Sequence, residues 1–532
     1  MTLYKNGKIF TSNEEKLFAT AMIVENKKIS WIGDMEDAPE YNGEVVDLEG
    51  SRIIPGFVDA HIHPLFTAIS FQQIACTPPT VLSIKDMIEQ LKEKGAAKNG
   101  WIQGWGYDEG KLSEGRTPTR HDLDQVSEDI PVAVKRTCFH ILSVNSKALE
   151  EAGITKDTPD PEGGQIDRDP DGEPTGILRE AARFLVEKVI PLPDEQEYID
   201  LLVELSQQFN AYGITSMTEM YGEAQPFDYL SLYRKAYAAG MKQKTAIYYH
   251  LSELQEQDLL TPEHISTEHP VFIAGIKLLA DGSVSGRTAW VEEPFEGGGK
   301  EDYGLSTTTP EILGQAIKQA REKGVQVAVH AMGEQAIKQV VDTFAKEEPW
   351  LADGPTFRVE HAAMPTKESI AKAGEKGIAF VPQTIFQFAE IESYLANLGE
   401  ERTKNAFPIP AFLEAGIPTA LSSDAPATAW SEPADPFITL KAAVTRRAYT
   451  GEDIGQEHSI DIETAVKLYT RVAQQVTRIP DVGQLKEGYS ADFLVLNQDL
   501  LACGLEDIAE VHVLQTYIGG EKVFEKKPSH AK

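Results

Sequence analysis

Residues 309–330, TPEILGQAIKQAREKGVQVAVH, contain one complete helix–strand unit. Apolar residues recur at helical spacing, Thr309 is a suitable N-cap, and Gly324 suits the left-handed end of a helix. An apolar run of strand length follows directly and ends in His330. The stretch therefore predicts a helix over residues 310–323 that leads into a buried strand with a histidine at its carboxyl end.

The same alternation of strand and helix extends over most of the chain. With residues 325–330, eight apolar runs have the length of strands; the other seven are residues 54–61, 214–219, 245–250, 273–279, 357–361, 377–382 and 417–422. Strands that are apolar throughout and alternate with helices are typical of a parallel sheet covered on both faces. We therefore predict an α/β fold, a (β/α)8 barrel of the TIM type. An open, doubly wound sheet is the alternative that this pattern leaves.

The two ends of the chain have a different pattern, with short strands separated by turn signals. We predict that residues 1–53 and 481–532 pair into one small β-domain, a β-sandwich built from both termini. The barrel then spans residues 54–480. Its first two strands are separated by about 150 residues, far more than a normal βα loop. Residues from about 66 to 200 are thus predicted to form an insertion that covers the barrel mouth and shapes the pocket.

The composition excludes several classes of function. The 532 residues include 50 basic and 83 acidic side chains, a formal net charge of −33. Such a surface repels phosphate backbones and anionic lipids, so we expect neither a nucleic-acid nor a membrane partner. The chain lacks an apolar run long enough for a transmembrane helix, and its N-terminus lacks a signal-peptide core. Cys76, Cys138 and Cys503 are too far apart for a disulfide framework or a thiolate zinc site, which favours a cytoplasmic location.

Histidines and one aspartate follow several of the predicted strands. His61 and His63 are two residues apart, and side chains at this spacing on a strand point the same way, so both can reach one ion. For this pair alone, two solvated or hydrogen-bonded histidines are the alternative. His330 and His361 end two further strands, and Asp424 follows the last one. Because barrel active sites lie at the carboxyl ends of the strands, these five residues are predicted to converge on a metal site.

Lys277 is a charged residue in an otherwise apolar predicted strand. A lysine inside a barrel is costly while it is charged, and burial depresses its pKa. A neutral amine reacts with CO2 to form a carbamate, an anionic oxygen donor that can bridge two metal ions. The alternative is an ordinary lysine that faces solvent or pairs with Asp281 in the following turn.

Other polar residues lie near predicted strand ends or in the insertion. We interpret four of them as candidates for contact with a substrate, with a structural hydrogen bond as the alternative for each: Arg136, His140, Glu219 and His250.

Several stretches resemble a known family. Residues 55–63, PGFVDAHIH, resemble the opening motif of the amidohydrolase superfamily. Four other segments resemble the branch often called amidohydrolase family 3, or YtcJ-like, which includes N-substituted formamide deformylases: IKLLADGS (276–283), VHAMGE (329–334), RVEHA (358–362) and SDAP (423–426). Similar stretches in the insertion and near the C-terminus extend the resemblance over nearly the whole chain.

The resemblance implies a ligand set. His61 and His63 would bind one metal ion, and His330 and His361 would bind the other. Lys277 would be the carboxylated bridging ligand, carrying a carbamate formed from CO2. Asp424 would bind the first ion and transfer the proton. One or two divalent ions are expected, with Zn2+ first and Mn2+ or Fe2+ as alternatives.

The expected activity is hydrolysis of a non-peptide C–N bond of the amide type in a small molecule, by metal-activated water. Two alternatives stay open. One is a mononuclear deaminase of a heterocycle with unmodified Lys277. The other is a non-catalytic, metal-binding regulatory protein. A homo-oligomer is compatible with the sequence.

Overall fold

A parallel sheet of seven strands forms the centre of the fold. The computed structural model describes residues 1–137, 141–161, 164–256, 258–297, 299 and 301–527. In chain order the strands are β1 (Phe57–Asp59), β2 (Ile214–Gly222), β3 (Lys244–His250), β4 (Val271–Leu279), β5 (Gln326–Ala331), β6 (Phe357–His361) and β7 (Ala379–Val381). Each strand pairs with the next one along the chain, and every pairing is parallel. This sequential order is that of an α/β barrel, whereas a doubly wound sheet reverses its order.

Helices connect the strands. The predicted helix is confirmed as Pro310–Lys323: the Thr309 side chain accepts a hydrogen bond from the backbone N–H of Ile312, and Gly324 ends the helix at φ 71°. Among the described residues, no helix is both long and apolar enough to cross a membrane. The other helices from residue 195 onward are Glu195–Tyr212, Tyr229–Ala239, Glu253–Glu256, Pro262–Ile265, Glu334–Phe344, Lys367–Lys376, Ile385–Ala389, Ile391–Asn405, Ile409–Glu414, Pro436–Thr445, Ile462–Leu468 and Arg471–Thr477.

The segment predicted as the eighth strand, residues 417–422, pairs less regularly than expected. It forms a single parallel bridge, between Thr419 and Phe380 of β7. Pro418 has no N–H to donate, which explains why the ladder is short. Beyond this bridge the backbone N–H of Asp424 donates to the carbonyl of His61 at 2.8 Å. These contacts bring the last segment beside the first strand, as in a TIM-like fold.

Residues 54–61, predicted as one strand, are divided between two sheets. Gly56 donates its N–H to the carbonyl of Asp492, whereas Phe57 donates to that of Gly213. Arg52–Pro55 accordingly pairs with the C-terminal strand Phe493–Leu496, and only β1 belongs to the barrel. The prediction of one continuous strand is therefore wrong, because neighbouring N–H groups have partners in different sheets.

Two further sheets contain strands from the chain ends. One has the order Lys28–Gly33, Ala21–Glu25, Thr2–Lys5 and Glu44–Asp47; the other has the order Glu521–Glu525, Val513–Ile518, Phe493–Leu496, Arg52–Pro55, Lys8–Phe10 and Phe18–Ala19. The ring of Phe493 stacks on Tyr517 of the neighbouring strand at 4.3 Å, and it meets Tyr4 of the other sheet edge-on at 5.1 Å. Arg52 and Asp499 form a bidentate ion pair with both distances 2.7 Å. Strands from both termini thus share one core.

Residues Leu65–Leu201 and Pro426–Pro433 form a second compact unit, separate from the unit that contains the barrel and the terminal sheets. Its sheet has the order Gly164–Arg168, Pro174–Glu180, Ile141–Val144, Val132–Arg136, Ile102–Tyr107 and Ile74–Ala75. The helices between residues 64 and 187 are Pro64–Phe71, Ile84–Lys94, Arg120–Leu123, Ser146–Glu151 and Phe184–Glu187.

We expect Gly56→Ala to lower the free energy of unfolding by about 1–3 kcal/mol. A Cβ at this position would clash with the side chain of Thr215 in β2, so the backbone around Gly56 and this side chain would have to shift. The control is Gly314→Ala, in an exposed part of the helix Pro310–Lys323 where a Cβ meets nothing within 4 Å. That change should raise stability by roughly 0.5–1 kcal/mol. Urea denaturation measures both, and equal stability of Gly56→Ala and wild type would contradict the close approach.

Candidate active site

The six residues predicted to bind metal are all at the carboxyl end of the sheet. Lys277 is the third-last residue of β4, His330 the second-last of β5, and His361 the last of β6. The other three lie in the segments that follow β1 and the Thr419 bridge: His61, His63 and Asp424. The fold therefore places all of them in one region, as barrel active sites require.

The four imidazole rings form a continuous group. The ring centroids of His61 and His63 are 5.5 Å apart. The ring of His361 lies 4.8 Å from that of His61 and 4.3 Å from that of His330. His61 and His361 are buried, and burial lowers the pKa of each well below its ordinary value. Both are thus neutral imidazoles, the form that binds metal.

Asp424 lies among these rings. Its Oδ1 is 3.3 Å from Nε2 of His61 and 3.1 Å from Nε2 of His63. Burial alone would raise the pKa of Asp424, but its interactions with His61 and His63 keep that pKa below its usual value. The side chain is therefore an ionised carboxylate in the middle of the group.

Hydrogen bonds set the proton position on His61. Its Nδ1 is 2.7 Å from Oε2 of Glu360, and a carboxylate only accepts, so Nδ1 carries the proton. Nε2 then has a free lone pair directed toward Asp424.

His361 and His330 are oriented in the same manner. Nδ1 of His361 donates to Oε1 of Gln383 at 2.6 Å, because the Gln383 amide group already donates to Val381 and Ser422. His330 donates from Nε2 to the carbonyl of Gly282 at 2.9 Å. In the neutral form of each ring, these bonds leave the other nitrogen without a proton, as in metal-bound histidines.

These donors fit a divalent transition-metal ion. His61, His361 and Asp424 each offer a ligand atom, and these atoms lie within 4.8 Å of one another. Nε2 of His61 and Oδ1 of Asp424 are both acceptors at 3.3 Å, an arrangement that is unfavourable in a buried site unless a cation lies between them. Mixed imidazole and carboxylate ligands suit Zn2+ and its neighbours.

Lys277 is 2 % exposed, and burial lowers its pKa to about 8. Its charge in turn lowers the pKa of His61 and His361, so its amine belongs to the same group. Within the described ranges, Nζ makes neither a hydrogen bond nor an ion pair. The alternative of a solvent-facing lysine paired with Asp281 does not hold, since that carboxylate accepts backbone N–H groups from Trp290, Met332 and Gly333.

The backbone is strained at two of these residues. His361 has φ 71° and Asp424 has φ 52°, the left-handed region that non-glycine residues rarely adopt. Each such residue costs about 1–3 kcal/mol and persists only where its surroundings hold it. This strain is consistent with side chains positioned for function rather than for stability.

Two of the predicted substrate contacts lie near the group. Oε1 of Glu219 is 3.5 Å from Nδ1 of His63, and its Oε2 accepts a 2.5 Å hydrogen bond from Tyr233. Burial lowers the pKa of His63, but its bonds with Asp424 and Glu219 outweigh burial and raise the pKa to about 9. His250 ends β3, and its Nδ1 is 2.7 Å from Oγ of Ser252. A substrate contact by Glu219 or His250 stays a prediction.

The other two predicted contacts lie in the segment before residue 201. Arg136 ends the strand Val132–Arg136, where its Nε donates to Glu109 at 2.8 Å and its Nη2 to Asp108 at 3.4 Å. Its proposed role toward substrate stays a prediction. His140 lies outside the described residues.

Glu360 and Gln383 both orient histidines, and neither was predicted as a site residue from the sequence. One signal was present: Arg358 and Glu360 alternate as charged residues on a strand that is otherwise apolar. Charged side chains at this spacing share a face, and inside a barrel they need partners. Gln383 has no comparable signal.

Comparisons with known proteins agree with this geometry. The model of the amidohydrolase family matches residues 44–524. YtcJ of Bacillus subtilis strain 168, which is named as an amidohydrolase, is 34 % identical over 98 % of this chain and 99 % of its own length. An N-substituted formamide deformylase of Arthrobacter pascens is 26 % identical over 98 % of each chain. The crystal structure of an uncharacterized metal-dependent hydrolase from Pyrococcus horikoshii OT3 superposes with a TM-score of 0.76, at 25 % identity over 95 % of this chain and 99 % of that chain.

Fold and site define the class as a metal-dependent hydrolase. The chain belongs to the amidohydrolase family, and the predicted resemblance is thereby confirmed.

Proposed function

We propose that the protein hydrolyses a non-peptide C–N bond of the amide type in a small molecule. The observation that carries this proposal is the bare Nε2 of His61 facing the ionised Asp424 at 3.3 Å, within a group of four histidines. That arrangement combines a place for a metal ion with a base beside it. The N-substituted formamide deformylase relative makes N-formyl amines the first substrates to test.

The residues assigned to the metal are those of the group. His61 and His63, with Asp424, would hold one ion, His330 and His361 would hold the other, and Lys277, once carboxylated by CO2, would supply oxygen donors to both. Zn2+ is the ion best matched to these donors, with Mn2+ or Fe2+ as alternatives. When bound, a divalent ion lowers the pKa of a water molecule and polarises the substrate carbonyl.

Asp424 transfers protons in this proposal. Its ionised carboxylate accepts a proton from the attacking water as the C–O bond forms. It then donates this proton to the nitrogen as the C–N bond breaks, since an amide anion is too poor a leaving group. The products are a carboxylic acid and an amine.

One observation favours a different enzyme. The three-residue group of His61, His361 and Asp424 would hold a single ion without Lys277. A mononuclear deaminase of a heterocycle would need only such a site. One ion per chain together with release of ammonia would select this second candidate.

The proposal also covers the terminal sheets and the segment between the first two barrel strands. We assign the terminal sheets to a small β-sandwich and residues from about 66 to 200 to an insertion after the first barrel strand. A cytoplasmic protein fits the lack of a disulfide framework among Cys76, Cys138 and Cys503.

The substrate is tested directly by activity. The Zn2+-loaded protein should hydrolyse at least one member of a panel of N-formyl amines, N-acyl amines, acylated amino acids and cyclic amides, and each bond broken should give one carboxylate group and one amine group. The release of an amine and an acid in equal amounts supports the proposal. Turnover confined to ammonia release from heterocycles would refute it.

Purified protein should contain about one to two transition-metal ions per chain. Removing them with a chelator should abolish turnover and lower the Tm, because an ion that binds only the folded state contributes about 2.7 kcal/mol at a hundred times its Kd. Zn2+ should restore both, whereas Mg2+, which prefers oxygen ligands, is the control that should not. Elemental analysis without metal, and no gain on adding Zn2+ or Mn2+, would contradict the proposed site.

A further inference from the structure

A buried ion pair lies directly beneath the histidines. Arg358 and Glu360, both in β6, are 0 % exposed. Nε of Arg358 donates to Oε1 of Glu360 at 2.8 Å, and its Nη2 donates to Oε2 at 3.0 Å. Burying two charges is costly unless nearly all their hydrogen-bonding groups are satisfied, so a pair at this position has a specific reason to be there.

Glu360 has a third donor, which is His61. Its Oε2 accepts from Nδ1 of His61 at 2.7 Å in addition to the bond from Arg358. Glu360 is the only group among the described residues bonded to this nitrogen. It therefore decides which ring nitrogen of His61 carries the proton.

Arg358 is held from several strands. Its Nη1 donates to the hydroxyl of Tyr248 at 2.8 Å, and its Nη2 also donates to the carbonyl of Ala60 at 2.7 Å. Tyr248 in turn donates to Oε1 of Gln326 at 2.6 Å. The guanidinium thus has partners in β3, in β6 and just after β1, and it cannot move without breaking bonds in each.

From this geometry we infer that Glu360 is a positioning residue, which holds His61 with Nε2 unprotonated toward the metal, and that Arg358 holds Glu360 in that position. The inference rests on the proposed function in one respect, namely that His61 binds an ion. Partners of this kind orient ligand histidines and increase their basicity.

Glutamine cannot replace Glu360 in this role. The carboxylate accepts on both oxygens, one facing Nε of Arg358 and the other facing Nη2 and His61. An amide has one acceptor and one donor group. If its NH2 replaces Oε1, the bond from Nε of Arg358 is lost, and if it replaces Oε2, the bonds from Nη2 of Arg358 and from His61 are both lost.

The test compares two variants of the same network. Glu360→Gln should weaken Zn2+ binding at least about tenfold, whereas Tyr248→Phe should change it by less than about threefold, measured by competition with a chelator. Tyr248 is the matched control because its hydroxyl bonds Arg358 and Gln326 rather than a histidine. Both variants should lower the Tm, since both lose buried hydrogen bonds. An equal loss of affinity in the two would show a merely structural role and overturn the inference.

A second measurement needs no variant at position 360. In metal-free wild type labelled with 15N-histidine, the His61 ring, identified through its missing signal in His61→Asn, should be protonated at Nδ1. Protonation at Nε2 would overturn the inference, even if Glu360→Gln fails to fold. Wild type that binds no Zn2+ but shows the Nδ1 proton would refute the metal site of the proposed function and leave the role of Glu360 supported.

Discussion

Asp424→Asn should retain most of the bound metal and yet turn over a good substrate at least about 100-fold more slowly than wild type. Asparagine keeps the shape of the side chain and one oxygen donor, but it cannot accept a proton at neutral pH. The four histidines still present their nitrogens, so binding loses one ligand at most. The proton-transfer step, by contrast, loses its base, which in wild type is ionised beside His61 and His63.

Metal content by elemental analysis and kcat under saturating substrate separate these two effects. The matched control is Asp492→Asn, the same change at another buried carboxylate, which bonds Ser490 and Gly519 in the terminal sheet. Asp492→Asn should leave kcat within about threefold of wild type, because Asp492 takes no part in the proton transfer. An Asp424→Asn enzyme that binds metal and works within a few-fold of wild type would assign the proton transfer to another residue.

Lys277→Ala should lose at least one ion per chain and lower turnover at least about 100-fold, as expected when a bridging ligand is removed. At pH 7 a lysine with a pKa of about 8 is neutral in about one molecule in ten, against about one in 3000 for an ordinary lysine. Burial is the main cause of this shift. The free amine needed for reaction with CO2 is thus available, and no other partner holds Nζ among the residues described.

Short carboxylates such as acetate or propionate should partly restore metal and activity to Lys277→Ala, because they supply the missing anionic oxygens. The control is Lys244→Ala, at the amino end of β3 and away from the histidines, where Nζ bonds the carbonyl of Pro480 and no metal loss is expected. The carbamate itself should be visible as three extra atoms on Nζ in a crystal structure of the metal-loaded protein. A bare ammonium in such a structure would rule out the bridge.

The helix Pro310–Lys323 and the strand after it could be predicted because their signals lie in residues that are close in sequence. The helix Pro310–Lys323 begins at Thr309 and ends at Gly324, as predicted, because a cap needs only a side chain and a backbone N–H three residues apart. The strand that follows was also predicted, because its apolar run is short and continuous, and it ends beside His330. The resemblance of the histidine motifs to the family likewise required the sequence alone.

Contacts between distant residues could not be predicted in this way. Residues 54–61 have the pattern of one strand, yet Gly56 and Phe57 donate to Asp492 and Gly213, which lie far along the chain. Only the folded chain decides which sheet each N–H joins. The apolar pattern identifies the segment as extended, but it does not name the distant residues that accept from each N–H.

For the active site, too, one part could be predicted from the sequence and another part depends on the folded chain. The residue types at the strand ends could be predicted from the sequence, and so could their convergence, because barrel geometry brings those ends together. The tertiary structure decided what those residues can do. Glu360 is 299 residues from His61, and their 2.7 Å hydrogen bond places the proton on Nδ1 and the lone pair toward Asp424. A tautomer depends on the partner of the other ring nitrogen, and that partner exists only after folding.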